Sequence, residues 1–110
     1  MHIEDLRDFV LALPEVEETT PFGPNVIVYK TKGKMFLLVP LDTDDLRCNV
    51  KCAPERAIQL REEYPEAVLP GYHMSKIHWN TIIVGKGLTK QQYLDSITDS
   101  YELIRKGSKK

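Results

Sequence analysis

No apolar run in this chain approaches the roughly 18–20 residues that a membrane-crossing helix needs, so no span and no membrane partner are expected. Cysteine is scarce too. Only Cys48 and Cys52 occur, and the N-terminal His2, Ile3, Glu4 and Asp5 are acidic and periodic, the opposite of a secretory leader. A reducing cytoplasm is therefore the expected compartment. Charge of one sign is nearly absent. A formal net charge of -1 gives no general attraction to nucleic acid, membrane or acidic substrates, although a balanced total can conceal two opposed patches. A phosphate-binding loop is missing, because Gly85-Lys86-Gly87 is short and lacks the Lys-Ser/Thr ending of a Walker sequence. So is a nucleophile elbow. Together these absences argue against a conventional hydrolase or nucleotide enzyme, and they point to no catalytic residue and no cofactor.

What is present suits one domain over residues 1–110, with residues 107–110 a polar tail expected to fray. Hydrophobic content of 42% and charged content of 28% are ordinary for a globular chain with a single core. The charge is unevenly spread. Residues 1–20 hold Glu4, Asp5, Asp8, Glu15, Glu17 and Glu18 against Arg7. From residue 70 onward Lys76, Lys86, Lys90, Arg105, Lys106, Lys109 and Lys110 face only Asp95, Asp99 and Glu102.

Ile3, Leu6, Phe9, Val10 and Leu13 recur at helical spacing, which predicts an amphipathic helix over about residues 2–12, ended by Pro14. Three prolines and a glycine predict a loop over residues 14–24, its acid cluster solvated. Residues 26–30 and 35–39 are rich in strand formers and flank Thr31-Lys32-Gly33-Lys34, a tight hairpin whose glycine tolerates a positive backbone angle. Residues 47–52 alternate polar and apolar, as in a strand with one wet face. Pro54 opens a second helix that reaches about residue 64. Residues 67–71 read as a short extended or turning link, and residues 77–84 as a strand. The last helix is the best marked. Thr89 and Gln92 make a capping box, Leu88 and Tyr93 a hydrophobic staple, and Tyr93, Leu94, Ile97, Tyr101 and Ile104 an apolar stripe before Gly107. This order predicts an antiparallel α+β fold.

The unusual chemistry concentrates in residues 71–80, which hold the only tryptophan, two of the three histidines and Lys76. On a strand, Trp79 shares its face with Ile77, Thr81 and Ile83 and belongs in the core, while His78 and Asn80 point the other way, toward solvent. The odd spacing of His73 and His78, with no third ligand in sight, gives no metal site. Cys48 and Cys52, on one strand face, stand about 13 Å apart, too far for a disulfide or a shared metal. Lys30, Lys32 and Lys34 cluster at the hairpin, where lysines can reach phosphates.

Pro21-Phe22-Gly23, Gly33-Lys34-Met35-Phe36, residues 72–79 with Lys76-Ile77-His78-Trp79, and Ser100-Tyr101 together resemble the MmcQ/YjbR family of small bacterial proteins. The resemblance implies a CyaY-like α+β fold, a twisted antiparallel sheet with helices packed on one face, and a double-wing DNA-binding role inferred from structural likeness. The family residues present are Lys34, Lys76, His78, Trp79 and Tyr101, none with a catalytic role. Frataxin-type iron binders of the broader fold use an acidic first helix, for which Glu4, Asp5 and Asp8 are too few. The expectation is a non-catalytic binding module, monomeric or weakly dimeric. Lys30, Lys32, Lys34 and Lys76 would meet DNA or another anion. The alternative is a protein-interaction or small-ligand domain using a groove of Tyr72, His73, His78, Trp79 and Tyr101.

Overall fold

A computed structural model describes residues 2–71 and 74–107 of the chain. Three helices, α1 (Ile3–Leu11), α2 (Pro54–Glu63) and α3 (Lys90–Gly107), accompany six strands: β1 (Val16–Thr19), β2 (Val26–Thr31), β3 (Lys34–Pro40), β4 (Arg47–Lys51), β5 (Val68–Pro70) and β6 (Trp79–Ile83). The strands form one antiparallel sheet in the order β1-β2-β3-β4-β6-β5. The α+β expectation is met; of the expected tail, residues 107–110, Gly107 closes α3 and residues 108–110 lie outside the described residues.

Local chemistry explains most of the elements. In α3 the Thr89 hydroxyl accepts from Gln92 N–H at 3.1 Å, while the Gln92 side chain accepts from Thr89 N–H at 2.9 Å, so two amides that the helix cannot satisfy find partners. Pro54 begins α2, where its missing N–H costs nothing. Lys32 and Gly33, both at positive φ (56° and 77°), form the two-residue β2–β3 turn, whose twist matches that of the strands.

All three helices cover one face of the sheet. Leu6 and Val10 of α1 and Tyr93, Ile97, Tyr101 and Ile104 of α3 pack on Tyr29, Phe36, Leu37, Val39, Cys48, Val50, Val68 and Ile82, with Leu60 of α2 at the margin. Each fully buried aliphatic or aromatic side chain here contributes about 1.5–3 kcal/mol. A second, smaller cluster of Val28, Leu38 and Trp79, flanked by Val26, Met35 and Met74, lies on the outer face.

Expectations for three stretches are corrected. The loop over residues 14–24 contains an edge strand: β1 pairs along β2, and its Val-Glu-Glu-Thr sequence conceals strand alternation behind charge. Nor is its acid cluster merely solvated. Glu18 accepts from Arg7 Nε at 2.8 Å and from the Tyr29 hydroxyl at 2.8 Å, and Glu15 pairs with Arg105 and Lys32. β4 has no wet face: Cys48, Asn49 and Val50 are all buried, because the strand lies between β3 and β6 and Thr81 donates a hydrogen bond to the Asn49 side chain. β6 starts at Trp79, leaving Ile77 in a turn at 63% exposure, and Asn80 is 1% exposed rather than solvated, because its amide donates to the Ala57 carbonyl beneath α2 at 3.2 Å. The link over residues 67–71, expected to be extended or turning, is extended over β5 and paired with β6.

The Arg7–Glu18–Tyr29 cluster makes stability depend on pH. The Arg7 hydrogen bonds, then that of Tyr29, hold the Glu18 carboxyl below its ordinary value of 4.5. A carboxylate depressed in the folded state adds stability above that ordinary value, and this stability is lost as pH falls through the folded value. Glu18→Gln is therefore expected to flatten the acid limb of a stability-against-pH curve below about 4.5. Parallel curves for the variant and the parent, measured by urea unfolding, would contradict this.

Candidate functional site

Strand direction decides which loops meet. β2 runs into the hairpin turn and β3 runs out of it; β4 returns to the same end, with Lys51 opposite Trp79, the first residue of β6, and β5 finishes there at Pro70, opposite Asn80. The hairpin turn, the end of β4 and the connection over residues 71–78 therefore share one margin of the sheet. Arg105, in the last turn of α3, joins them by donating to Thr31 Oγ1 at 3.1 Å and to Glu15 at 3.0 Å. From β2 to β6 are three strand spacings, about 14 Å.

The four lysines singled out in the sequence lie along this margin. Lys30 is half-buried opposite Met35 and Glu17. Lys32 makes a 3.7 Å ion pair with exposed Glu15, and Lys34 is exposed at the start of β3. Lys76 donates to the Gly71 carbonyl at 3.2 Å. Lys51 belongs with them although the sequence reading passes over it; its signal is the Arg47-to-Lys51 alternation, which puts its Cβ on the same face as Trp79. The opposite margin carries Asp42, Asp44 and Asp45 in the β3–β4 loop and Glu66 before β5, with Asp45 held by Arg47 at 2.7 Å. Cations stand at that margin too, Arg47 on Asp45 and Lys86 in the turn after β6, while Glu15 and Glu17 lie beside the lysines.

The described ends of the β5–β6 connection are tied down by main-chain bonds. Gly71 N–H donates to the Trp79 carbonyl at 2.9 Å, Trp79 N–H to the Ser75 carbonyl at 3.0 Å, and Cys52 N–H to the His78 carbonyl at 2.8 Å. Met74 packs with Trp79, which is 8% exposed. A Cβ on Gly71 would lie 2.7 Å from Trp79 Cβ and 2.9 Å from its carbonyl oxygen, so only glycine fits this approach.

The expected groove is not brought together as a set. His78 is exposed and Trp79 lies on the outer face, but Tyr101 is in the core beneath the helices, edge-on to Phe36 at 5.4 Å, with its hydroxyl donating to the Pro14 carbonyl at 2.5 Å. The sheet itself separates Tyr101 from Trp79. Tyr72 and His73 lie outside the described residues. The neighbouring Ser100 is also structural. Its hydroxyl sits where β3 and β4 stop pairing, accepting from Lys51 N–H at 2.8 Å and donating to the Phe36 carbonyl at 2.6 Å.

Neither cysteine forms a disulfide. Burial pushes the Cys48 thiol up to about 12, and the thiol accepts from the Tyr93 hydroxyl at 3.1 Å, which makes it a packing group. Among the described residues, no three His, Cys, Asp or Glu side chains are grouped to hold a metal, and no helix is long and apolar enough to cross a membrane.

Fold and surface define a class: a small α+β module with three helices on one sheet face and a lysine-rich margin beside the other. The chain belongs to the YjbR family, whose model matches residues 11–103. It is 35% identical over 108 residues to the uncharacterised protein YbdF of Escherichia coli O157:H7, covering 94% of this chain and 84% of that one. It is 26% identical over 102 residues to the uncharacterised protein YjbR of Escherichia coli K12, covering 93% and 86%. Among solved structures, Deinococcus radiodurans protein DR2400, of domain DUF419, superposes with a TM-score of 0.89 at 33% identity over 94% of this chain and 78% of that one. A Pseudomonas syringae protein shares the fold with a TM-score of 0.80 at 22% identity, over 94% of this chain and 98% of that one.

Proposed function

We propose that this chain is a non-catalytic cytoplasmic module that binds DNA along its lysine-rich margin. The observation that carries the reading is the common end shared by the hairpin turn, the end of β4 and the connection over residues 71–78, which supports joint contact by Lys30, Lys34, Lys51 and Lys76. Phosphates meet such a row without any base-specific fit, and each neutralised phosphate releases a counterion. The Lys32–Glu15 pair is exposed on both sides and holds that lysine only weakly.

Four phosphate contacts predict a slope of log affinity against log salt of about -3 to -4, and each Lys→Gln substitution in the row should lower its magnitude by roughly 0.9. Fluorescence anisotropy with labelled duplex and single-stranded DNA at several ionic strengths reads this directly. Absence of binding at low salt by the folded protein ends the proposal. In that event exposed Ile77, beside exposed His78, favours a protein partner at the same connection.

A further inference from the structure

On the helical side of the sheet, a cleft of about 210 Å³ opens between α2 and α3, lined by Lys51, Cys52, Ala53, Arg56, Leu60, Ser96, Asp99 and Leu103. By liquid volume it holds roughly seven waters, room for a ligand below drug size. Ala53, Leu60 and Leu103 supply apolar wall. The charges are the informative part. Arg56 of α2 and Asp99 of α3 line the same cleft, yet they form no ion pair among the described residues; the pairs formed are Arg7–Glu18, Lys32–Glu15, Arg47–Asp45 and Arg105–Glu15. The Arg56 guanidinium donates instead to Gln59 Oε1 at 3.1 Å, a neutral acceptor that steadies it without cancelling its charge. The half-buried Cys52 lines the same cleft as Arg56 and Asp99.

A cleft with an unpaired cation from one helix, an unpaired carboxylate from the other and apolar wall between them is complementary to a small zwitterion with an apolar body. We propose that the α2–α3 cleft binds a free α-amino acid with an apolar side chain, its carboxylate on Arg56, its ammonium on Asp99 and its side chain against Leu60 and Leu103. Inorganic phosphate would leave Asp99 facing an anion and the apolar wall facing water. Lys51 lines this cleft and also belongs to the lysine row, but the charges and apolar contacts assigned to the ligand come from α2 and α3 alone.

Cys52 is a built-in reporter, because Cys48 is fully buried. Alkylation of the intact protein by iodoacetamide, a neutral reagent, is followed by mass spectrometry at mildly alkaline pH. L-leucine at about ten times its dissociation constant should slow Cys52 alkylation roughly tenfold. In the parent protein, 4-methylpentanoate, which lacks the ammonium, and isopentylamine, which lacks the carboxylate, should protect far less. Asp99→Asn should make leucine no better than 4-methylpentanoate, and Arg56→Gln should make it no better than isopentylamine, with far-ultraviolet circular dichroism confirming that both variants fold. Failure of leucine, isoleucine, valine, methionine and phenylalanine to protect the folded parent overturns the proposal. So does equal protection by 4-methylpentanoate, which would make the cleft a carboxylate site. Neither result bears on DNA binding, which salt-dependent anisotropy reads separately.

Discussion

Ser100→Ala is expected to lower stability by about 3 kcal/mol, although it removes a single oxygen from a side chain that touches no solvent. The reason lies in the sheet. β3 carries an extra residue between Leu37, opposite Tyr29, and Met35, opposite Lys30, and this bulge turns Phe36 into the core against Tyr101. β3 and β4 pair at Leu37–Val50 and Leu38–Asn49 and then part, leaving the Phe36 carbonyl and Lys51 N–H without each other. The Ser100 hydroxyl answers both, as acceptor to one and donor to the other. Alanine strands a donor and an acceptor at once, and an unmet buried group costs about 1–3 kcal/mol. In a chain of this size the melting temperature should fall by roughly 13 °C. Urea unfolding gives the free energy. A loss below about 1 kcal/mol would mean that β3 and β4 close up and pair directly once the hydroxyl is gone, and the bridge would then have no structural necessity.

Gly71→Ala should cost about 2–3 kcal/mol through a different mechanism, overpacking against main chain. The new methyl would stand 2.7 Å from Trp79 Cβ and 2.9 Å from the Trp79 carbonyl oxygen, and neither can swing aside as a flexible side-chain tip would. Yielding means stretching the 2.9 Å Gly71-to-Trp79 hydrogen bond that closes the end of the β5–β6 pair. Trp79 is the only tryptophan, so its emission should shift to the red as its packing with Leu38 and Met74 loosens. Lys76, which donates to the Gly71 carbonyl, should be displaced as well, and DNA affinity should fall with the lysine itself intact. An alanine variant with the emission and unfolding midpoint of the parent would show that the approach is softer than its distances indicate.

Features specified within a few residues are legible in the amino-acid sequence. The capping box of α3, Pro54 at the start of α2 and the Lys32-Gly33 turn each carry their cause beside them in the chain. Features that depend on what lies across the sheet are not. Asn80 and Asn49 look like solvent-facing residues in an alternating strand, but β4 and β6 are interior strands, and burial of these amides depends on Ala57 and Thr81, 23 and 32 residues away in the chain. Helical periodicity assigns Tyr101 to a buried stripe, yet it does not say which sheet face that stripe meets, and so the sequence groups Tyr101 with Trp79 although the sheet divides them. β1 is hidden by its own glutamates and by Glu15 beside it, whose partners Arg7 and Arg105 come from the first and last helices. At the lysine row the residues themselves are legible, whereas their common margin follows from strand order alone.

The two outer strands of the sheet have a consequence for how this protein behaves at high concentration. β1 presents Glu17 and Glu18 along its length, and β5 is only three residues long and closes on Pro70, which has no N–H to offer. A passing chain that tried to extend the sheet would meet carboxylates on one side and a truncated ladder on the other. Cross-β stacking is thereby disfavoured at both borders, so the molecule can leave one apolar cluster without a helical cover and still resist growth into fibrils.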